Sequence, residues 1–183
     1  FRSTVLAASE SAVSGQIVTF GIRADRAETG FGWLELDSAR TAEVGSVAQP
    51  LVRFIEKPDL ATATIMLNDG RFLWNAGIFL FRANTLIAAF EKYQPEILAR
   101  VQRALREAQS DLAFTKLAAE PWSGIDEISI DYAIMEKATN LSVVPYGGAW
   151  SDLGGWEAVW REAGPDENGV VAWGSALAID CKD

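Results

Sequence analysis

The stretch RFLWNAGIFLFR, residues 71–82, sets the frame of the fold. Its apolar run is too short to cross a membrane and long enough for a buried strand. Working outward, Asn84 is a candidate cap for a helix over TLIAAFEKY (85–93). Pro95 opens a second helix, PEILARVQRALREAQ (95–109), in which Ile97, Leu98, Val101 and Leu105 share one stripe. Upstream, PDLATATIMLNDG (58–70) reads as a helix entered at Pro58 and left at Gly70, and LVRFIE (51–56) as the strand before it. Trp33, Leu34, Glu35 and Leu36 form an alternating run behind Gly30 and Gly32. QIVTFGI (16–22) is a buried strand, and STVLAASESAV (3–13) a helix closed by Gly15.

Downstream, ISIDYAIMEKA (128–138) gives a short helix and LSVVPYG (141–147) a strand. WSDLGGWEAVWREAG (150–164) turns from loop into helix. The tail GVVAWGSALAID (169–180) reads as β-structure opening a new unit after Gly164 and Pro165, so a boundary is expected between 1–163 and 164–183. Strands alternating with helices predict an α/β domain with a largely parallel or mixed sheet, and ligands then sit beyond the carboxyl ends of strands.

Composition narrows the function. The 183 residues carry a formal net charge of −9 and contain no histidine. Such a balance argues against nonspecific binding to nucleic acid, which needs a basic face. Without histidine there is no Ser-His or Cys-His nucleophile and no histidine metal site. The one cysteine, Cys181, excludes an internal disulfide framework and fits a reducing, cytoplasmic setting. No apolar run is long enough for a membrane span, and the first residues lack the pattern of a signal peptide.

Several polar groups stand where apolar ones would be expected. Glu56 and Lys57 directly follow Phe54 and Ile55 in FIEKP; a carboxylate can accept from sugar hydroxyls and an ammonium can neutralise a phosphate. They also read as an exposed pair at a strand end stopped by Pro58. Asn75, beside Ala76 and Gly77, suits a hydroxyl-rich ligand, or equally reads as a satisfied buried amide or as a bulge with a packing glycine. Gly30 and Gly32 in TGFGW offer permissive backbone near a ligand, or a plain turn before a strand. Asp152 in WSDLGGW can bind Mg²⁺ or cap the helix that follows. Ser129 and Asp131 read as capping and dipole-compensating residues.

In order and spacing, VTFGI, TGFGW, FIEKP, WNAGIFLF, SIDYAIMEK and WSDLGGW resemble the mannose-1-phosphate guanylyltransferases, a group of sugar nucleotidyltransferases. The resemblance runs from about residue 16 to about residue 160. It implies a Rossmann-like α/β/α nucleotidyltransferase fold with a mixed sheet, and the transfer of GMP from GTP to mannose 1-phosphate with Mg²⁺, giving GDP-mannose and pyrophosphate. It further implies that Gly30 and Gly32 contact the sugar, that Glu56 and Asn75 hold its hydroxyls, and that Lys57 holds its phosphate. Asp152 would be one of two metal carboxylates.

Two departures accompany it. RADRAE (23–28) stands where members place prolines. The glycine-rich nucleotide loop, a further lysine and the first metal aspartate of the family all belong ahead of Phe1, so the N-terminal half of the fold is expected to be missing. The chain alone is therefore expected to be inactive, and residues after 164 to begin a β-rich extension. Two other readings stand beside this one. In the first, the chain is a noncatalytic sugar-phosphate-binding or interaction module whose uncovered sheet edge pairs with another copy. In the second, it serves a different sugar 1-phosphate.

Overall fold

The computed structural model describes residues 1–37 and 47–181, which form two compact units, Phe1–Gly147 and Gly148–Asp183. In the first unit six strands make a mixed sheet. They are β1 (Ile17–Arg23), β2 (Gly32–Glu35), β3 (Gln49–Pro50), β4 (Arg53–Glu56), β5 (Phe72–Leu80) and, near the end, β8 (Leu141–Tyr146), in the order β3-β8-β1-β5-β2-β4. Only β1 and β8 run parallel; every other neighbouring pair is antiparallel. A second, two-stranded sheet, β6 (Gln109–Asp111) with β7 (Phe114–Lys116), lies in a segment whose sequence gives no strand signal.

Alternation along the strands sorts side chains onto two faces. Val18, Phe20 and Val144 face helix α1 (Arg2–Val13) and its buried Ala8 and Ala12. The alternate residues Ile17 and Val143, with Leu34, Phe54 and Leu73, form the opposite core. There they meet Leu86, Ala89 and Phe90 of α3 (Ala83–Tyr93) and the π-helical turn Asp131–Met135. Helices therefore cover both faces. Burying residues such as Phe20 and Leu34 removes apolar surface from water at about 25 cal/mol per Å².

Local chemistry sets most boundaries. Asp59 caps α2 (Leu60–Asp69) by accepting from the Thr62 N–H at 2.7 Å, and Gly70 ends it in the left-handed conformation, φ 77°. Pro95 is the first residue of α4 (Pro95–Arg106), where its missing N–H costs nothing. Asn84 does not cap α3. The helix begins one residue before it, Arg82 holds the N-cap position, and no side chain caps the helix there. The helix expected at 128–138 contracts to the π turn, flanked by Ser129, whose Oγ accepts from Tyr132 N–H at 3.4 Å.

The second unit holds α6 (Trp156–Glu162), preceded in the chain by the short α5 (Ala119–Ser123) of the first unit. After α6 the chain turns at Asp166, whose Oδ1 accepts from the N–H groups of Asn168 and Val170, both at 2.9 Å. The expected β-structure of the tail does not form. Among the described residues no strand follows β8, and Lys182 and Asp183 lie outside them. An apolar segment becomes a strand only when a neighbouring edge takes up its hydrogen bonds, and here none is paired with it.

Candidate sugar-phosphate site

One row across the sheet brings three of the candidate residues together. Gly21 pairs with Asn75, and Gly32 pairs with Glu56, while Trp33 opposite Trp74 places Gly32 beside Asn75. Asn75, Gly32 and Glu56 thus stand side by side on β5, β2 and β4, on the face of the α3 core. Gly32 keeps the space between the two side chains open. A Cβ there would lie 2.7 Å from Glu56 Oε2, 2.9 Å from Phe54 Cζ and 3.2 Å from Asn75 Cβ. The residue expected as part of a loop is instead the first of β2, and it is needed for close approach rather than for turning.

Asn75 takes up the structural reading. Between Thr19 and Gly21 the β1–β5 register slips, and β5 bulges at Ala76–Ile78 with Gly77 at φ 70°. Asn75 Oδ1 closes this bulge, accepting from Thr19 Oγ1 at 2.7 Å and from Gly77 N–H at 3.2 Å. The amide is therefore a structural element of the sheet, with its Nδ2 as a further donor. Among the described residues no protein acceptor is bonded to that nitrogen.

Glu56 and Lys57 end the outermost strand. The Glu56 side chain is 8% exposed and that of Lys57 56%, with Nζ 3.7 Å from Glu56 Oε1. Lys57 takes a left-handed backbone, φ 45°, which turns the chain toward Pro58. Burial raises the Glu56 carboxyl above its ordinary range; the negative charges of Asp131 and Glu136 push the same way, and Lys57 opposes them. Burial likewise raises Asp131, against its own N–H, Lys57 and Ser129. From sequence Asp131 reads first as a helix-end residue and second as a ligand residue, and nothing singles out Glu136. The π turn brings both to the end of β4.

Gly30 behaves differently from Gly32. Its N–H donates to Glu28 Oε1 at 3.0 Å. The loop that lacks the expected prolines is held instead by ions and rings. The Arg26 guanidinium binds Glu28 at 3.1 Å and lies 4.6 Å from the Trp74 ring centre, while Trp33 Nε1 donates to the Glu28 carbonyl at 2.8 Å. Together these bonds hold the approach to Gly32 in place.

Asp152 belongs to the second unit, where it is exposed. It is not the helix cap: Gly155 holds that position in α6, and no side chain caps the helix. Among the described residues the Asp152 carboxylate has no ion pair, and no group of three or more His, Cys, Asp or Glu side chains could hold a metal. A lone carboxylate fits Mg²⁺ only as one ligand of a set completed by other groups, since Mg²⁺ keeps waters and phosphate oxygens. Among the described residues no helix is long and apolar enough to cross a membrane.

Comparison with known proteins identifies the family. The family model described as nucleotidyl transferase matches residues 1–168. A mannose-1-phosphate guanylyltransferase of Sinorhizobium fredii is 39% identical over 183 residues, covering 100% of this chain and 35% of the relative. The enzyme of that name from Escherichia coli K12 is 36% identical over 177 residues, covering 97% of this chain and 37% of the relative. The chain thus spans little more than a third of the length of these curated relatives. Among solved structures, one named mannose-1-phosphate geranyltransferase from Thermus thermophilus superposes with a TM-score of 0.73 at 30% identity, covering 91% of this chain and 46% of that one. With the family model spanning both the sugar-side row and Asp152, the chain belongs to the nucleotidyl transferase family.

Proposed function

We propose that the chain supplies the sugar-1-phosphate side of a guanylyl-transfer site that joins mannose 1-phosphate to GTP, giving GDP-mannose and pyrophosphate in the cytoplasm. The observation that carries the reading is the Asn75–Gly32–Glu56 row with Lys57 at its end. Relatives named for mannose 1-phosphate support the choice of sugar. Glu56 accepts from sugar hydroxyls, Asn75 Nδ2 donates to one, and the Lys57 ammonium faces the sugar phosphate. That phosphate oxygen attacks the α-phosphorus of GTP; the bond from the α-phosphorus to the bridging oxygen breaks, and pyrophosphate leaves with the electron pair.

No proton transfer is required of a side chain, so a site without histidine suffices. The chain's residues contribute orientation and charge neutralisation. Bound Mg²⁺ would neutralise the triphosphate, with Asp152 as one of its carboxylates.

The test is calorimetric titration of mannose 1-phosphate into the 183-residue chain, with Lys57→Ala and plain mannose as comparisons. The wild-type chain is expected to bind, and Lys57→Ala to bind about tenfold or more weakly, in line with loss of a charge-assisted bond. Wild-type affinity in Lys57→Ala, or no binding by folded wild-type chain, would overturn the reading.

A further inference from the structure

The lysine placed on the sugar phosphate is weakly held by its own side chain, which is 56% exposed. Its backbone, at φ 45°, lies in a region that a residue with a Cβ occupies only where neighbours fix it. Two hydrogen bonds do so. Lys57 N–H donates to the Phe31 carbonyl at 3.2 Å and extends the β2–β4 ladder by one rung. The N–H of Glu56, one residue earlier, must point the other way, off the outer edge of the sheet, because β4 is the last strand. There it donates to Glu136 Oε1 at 2.9 Å.

Glu136 reaches this amide by way of the π turn. Its own N–H donates to the Asp131 carbonyl at 3.0 Å, five residues back, and buried Ala133, Ile134 and Met135 root the turn in the core. A carboxylate from a core-anchored turn thereby closes the one outward donor of the strand end that carries both Glu56 and Lys57.

We infer that Glu136 is a positioning residue: by capping the Glu56 amide it fixes the strand end that presents the Glu56 carboxylate and the Lys57 ammonium to the sugar phosphate. The role rests on the sugar-phosphate reading above. Glu136 touches no substrate in this scheme and acts through its neighbours.

The test uses Glu136→Ala and Glu136→Gln in the 183-residue chain, with two readouts. The first needs no ligand: hydrogen exchange at the Glu56 amide, followed by NMR. Removing a charge-assisted acceptor should speed it about tenfold. The second is the affinity for mannose 1-phosphate, expected to fall roughly three- to tenfold in Glu136→Ala. Glu136→Gln keeps an oxygen acceptor and should restore both. A merely structural role would lower the melting temperature of Glu136→Ala and leave the affinity of the folded protein unchanged. The inference is overturned by unchanged exchange at Glu56, by wild-type affinity in Glu136→Ala, or by no rescue in Glu136→Gln. Failure of the wild-type chain to bind mannose 1-phosphate would instead bring down the sugar-phosphate reading, while the exchange result would still decide whether Glu136 holds the strand end.

Discussion

Gly32→Ala is the most direct perturbation of the site. The added methyl meets Glu56 Oε2 at 2.7 Å, Phe54 Cζ at 2.9 Å and Asn75 Cβ at 3.2 Å. The first two atoms end side chains and can swing away, whereas the third is bound to the β5 backbone and cannot. Relief must come from Glu56 and Phe54. Overpacking of this kind costs about 1–3 kcal/mol. For a chain of this length each kcal/mol shifts the melting temperature by roughly 2–4 °C, which gives a loss of about 2–12 °C. The larger effect is expected on the ligand. A displaced Glu56 carboxylate forfeits a hydrogen bond to a charged group, worth about 1.5–3 kcal/mol, or roughly 10- to 100-fold in affinity.

The assay pairs a thermal melt with titration of mannose 1-phosphate. Gly30→Ala is the control, because a Cβ at Gly30 meets only Glu28 Oε1, at 3.3 Å. It should melt within about 2 °C of wild type, as a surface change worth no more than about 0.5 kcal/mol does. A Gly32→Ala protein with wild-type melting and affinity would refute the close-approach argument. So would equal losses in the two variants, since the argument assigns the space to one glycine alone.

Two further predictions concern the charges and the bulge. The folded-state pKa of Glu56 is raised by burial and then by Asp131 and Glu136, so the folded chain binds more protons than the unfolded one, and stability falls as pH rises from the ordinary carboxylate range through the raised value. Glu56→Gln, which cannot ionise, should therefore melt above wild type near about pH 7 and converge with it near about pH 4, even as it weakens sugar-phosphate binding; thermal melts across pH check this. Thr19→Val removes the 2.7 Å bond to Asn75 Oδ1 and should cost about 0.5–1.5 kcal/mol, read as a drop of roughly 1–6 °C in melting temperature.

Much of this is legible in sequence. Each element of the sheet except β3 and the β6–β7 hairpin is announced by an apolar run and a Gly or Pro boundary, as at Pro95 and Gly70. The hairpin is not, because both its strands are exposed and its apolar run, Leu112 to Phe114, lies mostly in the turn, so no alternation separates them from a loop. Glu56, Lys57 and Asn75 stand out as polar groups in apolar runs. Gly77 suggests a bulge, but the two bonds that Asn75 Oδ1 accepts do not stand out, since the two-residue register slip that sets them depends on the pairing of β1 with β5. Nor does Glu136: its partner is eighty residues away in sequence, and an ordinary helical turn in SIDYAIMEK would not carry the same bond to it.

On the proposed sugar-phosphate reading, the same bulge gives the pair Asn75 and Glu56 a defined polarity. Gly77 N–H can only donate, so the atom of the Asn75 amide facing it must be oxygen, which leaves Nδ2 as the atom that can donate to a ligand. Glu56, when ionised, can only accept. A hydroxyl beside Glu56 must therefore donate, and one beside Asn75 must accept. Deoxy and deoxyfluoro derivatives of mannose 1-phosphate separate the two, because fluorine accepts weakly and cannot donate. At the position read by Glu56, the fluoro analogue should bind as poorly as the deoxy one, each losing about 1.5–3 kcal/mol. At the position read by Asn75, fluorine should recover part of the roughly 0.5–1.5 kcal/mol that the deoxy sugar loses. Titration of the 183-residue chain with each analogue decides the matter. If fluorine recovers affinity at every position or at none, the polarity assigned to the pair is wrong, and the sugar is not read by these two side chains.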